Sequence, residues 1–344
     1  MNAEFGSRTE DTPLSGFTVE GIEIARLGMD PEKSMPTPLM LACCAAIGGV
    51  VPEPNKVFLV LAGNLVESIK SRLPMGQYRN SFDDERGAGI LAAKTLNVGE
   101  DIHIVLPAGL FELPEAAREA GSIEHARWLE ESAEWRELHV KRTVLHEAQH
   151  AAMSQAGEKS VSLEGVGWAR GTFLSLADTV IDEYRAELGV PEQYREPFET
   201  TLPIVELDAA RNAMTRIAMV DYQSHLDVGL LAQDIVAAVQ HPWKALGNVA
   251  AARRVAGIAM GTPFSDEETV TDAWSLMVEP HWLKFEQILR NLPQPAEKGY
   301  TYQVRHAVED LADLFAEWLR AYGFLWRDVK DNSEFLIEST HLLL

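Results

Sequence analysis

The chain has 344 residues, 52 acidic against 30 basic side chains, and a formal charge of −22. That balance argues against nucleic acid as the principal partner, because gripping a phosphate backbone needs a basic surface. With 46% hydrophobic and 24% charged residues, the composition suits a globular protein with one large core or two modest ones.

Residues 1–35 are rich in turn formers and acids and read as a flexible N-terminal arm with one short helix near 19–27. The first thirty residues show no signal-peptide pattern, and the longest apolar run, 39–51, is too short to span a bilayer. A cytoplasmic protein without membrane contact is therefore expected. The two cysteines, Cys43 and Cys44, are adjacent, form no C-x-x-C element and are expected to pack as small apolar side chains. Residues 57–69 read either as a strand over 57–61 followed by a helix or as one continuous helix. A hairpin follows: a strand over 89–96, a turn at 97–100, and a second strand over 101–107 that a proline ends. Residues 112–136 are strongly charged and helical in pattern.

His146-Glu147-Ala148-Gln149-His150 is an H-E-x-x-H run. On a helix, histidines four residues apart project from one face and can grip a single metal ion. Glu147, turned by about a quarter of a circuit, is placed to reach a water on that metal rather than the metal itself. The helix is well supported: 122–156 lacks proline and glycine, Gly157 follows as a stop, and Leu138, Val144, Leu145, Ala148, Ala151 and Ala152 supply an apolar flank.

A catalytic zinc takes three protein ligands and leaves a fourth position for water. The best downstream source is 175–189, where Ser175 followed by Asp178 resembles a capping box and Gly189 closes the helix. Leu176, Val180, Glu183 and Glu187 fall on one stripe with Tyr184 beside them, while Asp178, Asp182 and Arg185 point the other way. A carboxylate inside an apolar stripe is expensive to bury unless something binds it. Glu183 is thus the expected third ligand, and Glu187 an acceptor that orients a ligand histidine. The alternative, that both glutamates border a solvated face, stays open.

A helix with H-E-x-x-H followed by a second helix offering a glutamate resembles the gluzincin class of zinc metallopeptidases. The upstream hairpin, and a helix carrying Arg142-Thr-Val-Leu-His-Glu-Ala-Gln-His150, are similar to the ImmA/IrrE-type metallopeptidases over residues 57–190. The resemblance implies an α+β, zincin-like fold, in which a small twisted sheet packs on the H-E-x-x-H helix and an edge strand, here 102–106, receives substrate. It also implies Zn2+ held by His146, His150 and Glu183, with Glu147 as general base. A metallopeptidase domain is expected over 36–200. The insert at 112–136 and the C-terminal residues have no counterpart in that family.

From Pro203 onward the pattern is helical, with helices expected at 204–219, 227–240, 248–259, 267–292 and 303–323, making 201–344 an all-helical domain. The stretch 165–171, with three glycines and Trp168, joins the two ligand helices and reads as a substrate wall or simply a hydrophobic loop. Tyr184, His103, His225, His241, His281 and His306 are the remaining residues considered for the site, with an oxyanion donor still to be found among them or elsewhere. The expected function is hydrolysis of a peptide or protein substrate by a zinc metallopeptidase. The alternatives are a metal-stabilised regulatory or binding protein with little turnover, a hydrolase of a non-peptide amide, and an acidic helical binding module whose H-E-x-x-H is fortuitous.

Overall fold

The structure is a computed structural model that describes residues 14–30, 32, 35–76, 79, 82, 85–86, 89–90, 93–158, 160–195, 204–261, 263, 272–295 and 301–339. The fold is mixed α+β. The chain divides into two compact units, Met1–Gly157 with Gly189–Tyr194, and Glu158–Leu188 with Arg195–Leu344. Among the described residues, no helix is long and apolar enough to cross a membrane.

The first unit holds strands β1 (Gly16–Glu20), β2 (Val57–Ala62), β3 (Lys94–Val98) and β4 (Asp101–Pro107), in the sheet order β1-β2-β4-β3. Its helices are α1 (Pro38–Val50), α2 (Leu65–Arg72), α3 (Pro114–Glu119), α4 (Ile123–Glu131) and α5 (Ala133–Gln155). Strand β2 is apolar along its whole length because both faces of the sheet are covered. On one face Leu59, Leu61, Ile102, Ile104 and Leu106 pack with Cys43, Cys44 and Ile47 of α1 and with Val140, Val144 and Ala148 of α5. On the other, Val60, Leu96 and Val105 meet Ile69 of α2. Both thiols are buried as expected, and that burial pushes each up to about 12. Of the two readings of 57–69, the structure takes strand then helix, with the Asn64 side chain accepting from the Glu67 N–H at 3.1 Å to start α2.

Three expectations for this unit need correction. Residues 16–20 are no loose arm: they pair in parallel with β2, and Leu14, Val19 and Leu27 are buried; residues 1–13 lie outside those described. The strand at 102–106 is not an edge, because β4 lies between β2, which it pairs in parallel, and β3, which it pairs antiparallel. The edge strand next to α5 is β3. Finally, the helical stretch before the motif breaks at Ser132, whose hydroxyl donates to the Trp128 carbonyl at 2.5 Å and competes with the next helical turn. At its other end α5 stops where expected, with Gly157 in the left-handed region at φ 84°.

The second unit is built on α6 (Trp168–Leu188), α7 (Ile204–Arg216), α8 (Val228–Val255), α9 (Glu279–Arg290) and α10 (Thr301–Ala321). It ends in a hairpin of β5 (Phe324–Val329) and β6 (Asn332–Ile337). The region is therefore not all-helical. The expected break at His241-Pro242 is also absent: α8 runs through Pro242, and the two helices expected at 227–240 and 248–259 are one. An interior proline costs about 3 kcal/mol. Here the stripe of Leu231, Ile235, Val239, Leu246 and Val249 is buried on both sides of it and offsets that cost. Trp243 of α8 stacks on Phe315 of α10 with ring centroids 4.1 Å apart.

Helix α6 starts at Trp168, so Ser175 lies inside it and is no cap. The cap comes from the hairpin instead. The Asp328 carboxylate accepts from the Ala169 and Arg170 N–H groups, each at 2.9 Å. A Cβ at Gly167 would lie 2.2 Å from Asp328 Cγ and would push the carboxylate off these two N–H groups. Burial opposes ionisation of Asp328, but bonds from Ser333 and the two helix N–H groups outweigh it and hold its pKa below the ordinary aspartate value. Asp328→Ala should destabilise the second unit by about 1 kcal/mol, read by urea denaturation. Because the folded pKa is lowered, the stabilisation is complete above the ordinary aspartate value and fades as the pH falls through and below it. An equal effect of the substitution in strong acid and at neutral pH would refute the carboxylate cap.

Candidate metal centre

The motif helix α5 packs Val140, Val144, Ala148 and Ala151 against the sheet, which leaves His146 and His150 together on another side, partly exposed. Their ring centroids lie 5.0 Å apart with the planes at 71°, and their Nε2 atoms are 3.3 Å apart. Two nitrogens on a tetrahedral zinc, each about 2.0–2.1 Å from it, would be separated by about 3.3 Å. A direct hydrogen bond favours a closer approach. A carboxylate oxygen of Glu183 on α6 joins them, with the three ligand atoms all within 4.8 Å of one another. His146, His150 and Glu183 are thus a group that could hold a metal ion, and two imidazoles with one carboxylate are a donor set that suits zinc.

Glu183 is partly buried, and its Oε1 pairs with Lys244 Nζ of α8 at 2.8 Å. One turn along, Glu187 is 1% exposed and accepts from Arg195 Nη1 at 2.9 Å. Arg185, expected to point away from the stripe of Glu183 and Glu187, is fully buried. It binds the Glu158 carboxylate through two nitrogens, and its Nε donates to the Pro293 carbonyl at 3.2 Å. Helix α6 is therefore covered on more sides than a single apolar stripe implies. Burial, reinforced by the charge of Asp178, pushes Asp182 up to about 7.

Glu147 faces the edge strand. The Thr95 hydroxyl of β3 contacts the Glu147 Oε2 at 2.7 Å and the Glu147 carbonyl at 2.9 Å, a geometry in which its single proton is shared between the two acceptors. Two residues on, Asn97 Oδ1 accepts from Ser154 Oγ at 2.8 Å, so β3 is fastened to α5 at two points. Within the motif, Gln149 is buried and its Nε2 donates to the Gly189 carbonyl at 3.0 Å. A Cβ at Gly189 would lie 2.3 Å from Gln149 Cδ, so a larger residue there would displace the Gln149 amide.

The other residues considered for the site have local partners. Tyr184 is fully buried and its hydroxyl accepts from Arg254 Nη1 at 3.2 Å. His103 lies on the sheet face away from α5, where Nδ1 accepts from Arg72 Nε at 2.9 Å and burial lowers its pKa. His241 pairs with Glu206 at 3.3 Å, and His306 with Asp310 at 3.1 Å. His225 Nδ1 accepts from the Asp227 N–H at 2.9 Å, and the His281 ring lies 5.4 Å from that of Trp318. In the glycine-bearing stretch, Gly167, Trp168 and Gly171 help line a cleft of about 440 Å³ that continues along Ser175 and Thr179 of α6 and Gln240 of α8.

Sequence reasoning missed Thr95, Lys244 and Arg195. Thr95 stood inside an expected strand, and only the pairing of that strand beside α5 gives it a role. Nothing local marks Lys244 or Arg195, whose partners are acids on another helix or eight residues away. Compared with protein-family models, with curated proteins and with solved structures, the chain matches none of them.

Proposed function

We propose that the protein is a zinc-dependent metallopeptidase with His146, His150 and Glu183 as metal ligands and Glu147 as general base. The observation that carries this reading is the 3.3 Å spacing of the two Nε2 atoms, with a Glu183 oxygen in the same cluster. A small sheet packed on the motif helix, with an edge strand bonded to the base, supports the zincin-like assignment. Zinc held there would supply a water acidified to near neutral pH and a positive charge to polarise a carbonyl. Glu147 would accept a proton from the attacking water and return it to the departing amine. Strand β3, rather than β4, is the edge to which an extended peptide would add. Glu187, fixed by Arg195, is the residue we assign to orienting a ligand imidazole.

A second reading is favoured by one observation: Lys244 already neutralises Glu183 without a metal. On that reading the protein is a binding or regulatory protein. Elemental analysis separates the two, with about one zinc per chain expected for the hydrolase. The zinc-loaded protein should cleave members of a mixed peptide library, and a chelator should abolish the cleavage. Zinc at stoichiometry without cleavage would leave a metal-stabilised binder or a hydrolase of other amides, and no zinc would overturn both metal readings.

A further inference from the structure

We infer that Thr95 is a positioning residue for the general base, an inference that rests on the hydrolase reading and deepens it. A glutamate on a helix has three side-chain torsions and samples many placements unless something fixes it. Among the described residues, the Thr95 hydroxyl is the side-chain group bonded to the Glu147 carboxylate, at 2.7 Å to Oε2. Threonine is β-branched and stiff at χ1, and Thr95 sits on a strand held by five paired positions to β4, so the backbone sets the position of its hydroxyl. Tying Oε2 to the strand leaves Oε1 as the oxygen that meets the water. A base misplaced by an ångström loses about 100-fold in rate. The contact also explains a polar residue on the inner side of β3: its neighbour Leu96 faces the opposite core, whereas Thr95 points at the motif helix.

The same strand carries an internal control. The bond from Ser154 to Asn97 fastens β3 to α5 as well, but away from the base. If Thr95 only fastened the strand, losing either bond would have the same consequence. In the zinc-loaded protein, Thr95→Val should lower kcat by about 10–100-fold. Its KM should stay within about two-fold, and zinc content should be unchanged. Thr95→Ser should recover most of the loss, and Ser154→Ala, which removes the bond to Asn97 from the helix side, should leave kcat as it is. In the metal-free protein, the 13C resonance of the Glu147 carboxylate should move in Thr95→Val and hold its place in Ser154→Ala. An unmoved resonance in Thr95→Val, an unchanged kcat, or an equal loss in Ser154→Ala would overturn the inference while leaving the hydrolase reading intact. No peptide cleavage by the zinc-loaded wild type, with the resonance moving as expected, would overturn the hydrolase reading and the role of Thr95 in it, leaving only the contact.

Discussion

Glu147→Gln should keep one zinc per chain and lose about 10²–10⁴-fold in kcat. The substitution preserves shape, and the amide oxygen can still accept from the Thr95 hydroxyl, so the strand β3 and helix α5 stay fastened. What disappears is the ability to take up a proton. Neither ligand imidazole nor the Glu183 carboxylate is altered, and metal content should follow the wild type. His146→Ala should behave differently, because it removes one of two nitrogens that converge to 3.3 Å, and both zinc and turnover should fall. Measuring metal content and kcat on the same preparations separates the two roles. Full turnover in Glu147→Gln would remove the general base from the scheme; undiminished zinc in His146→Ala would remove the proposed ligand set.

The features legible in the sequence are those that depend on neighbours along the chain. The turn between β3 and β4 announces itself through Gly99, whose φ of 65° favours glycine, and α5 ends at Gly157 for the same reason. The pairing of His146 with His150 follows from the pitch of one helix. That the Glu183 carboxylate, on a stripe with Leu176 and Val180, needs a partner is legible too, and Lys244 pairs with it at 2.8 Å. The remaining features depend on segments far apart in sequence. That β4 is an interior strand is decided by β1 and β2, whose parallel pairing leaves no local turn signal. The start of α6 is set by Asp328, more than a hundred residues downstream, and Ser175 imitated a cap that the chain does not use. Pro242 reads as a stop until the buried stripe on either side of it is weighed. The closing hairpin begins just past the last expected helix, 303–323, in a stretch with no expected element, although Phe324, Trp326 and Phe335 are buried and Arg327 and Glu334 pair across it at 2.8 Å.

Glu286→Ala should destabilise the second unit by about 3–5 kcal/mol, more than any surface substitution in it. Glu286 on α9 is fully buried. Its Oε1 accepts from Arg253 Nε of α8 at 3.2 Å and from Arg290 Nη2 at 2.9 Å, and its Oε2 from the Gly261 N–H at 3.1 Å. Removing the carboxylate leaves the buried Arg253 guanidinium without its anion and the Gly261 N–H without an acceptor. An uncompensated buried charge is far costlier than the net worth of the pair that held it. Replacing all three partners together, as Glu286→Leu, Arg253→Met and Arg290→Leu, should therefore recover much of the loss even though it deletes every bond in the group. Urea denaturation can be followed by tryptophan fluorescence, to which the buried Trp243, Trp274, Trp282 and Trp318 of this unit contribute, with Trp128 and Trp135 of the first unit replaced by Phe. A loss below about 1 kcal/mol in the single variant would mean that water reaches the guanidinium groups readily. A triple variant no more stable than the single one would mean that the bonds, rather than the stranded charge, carry the energy.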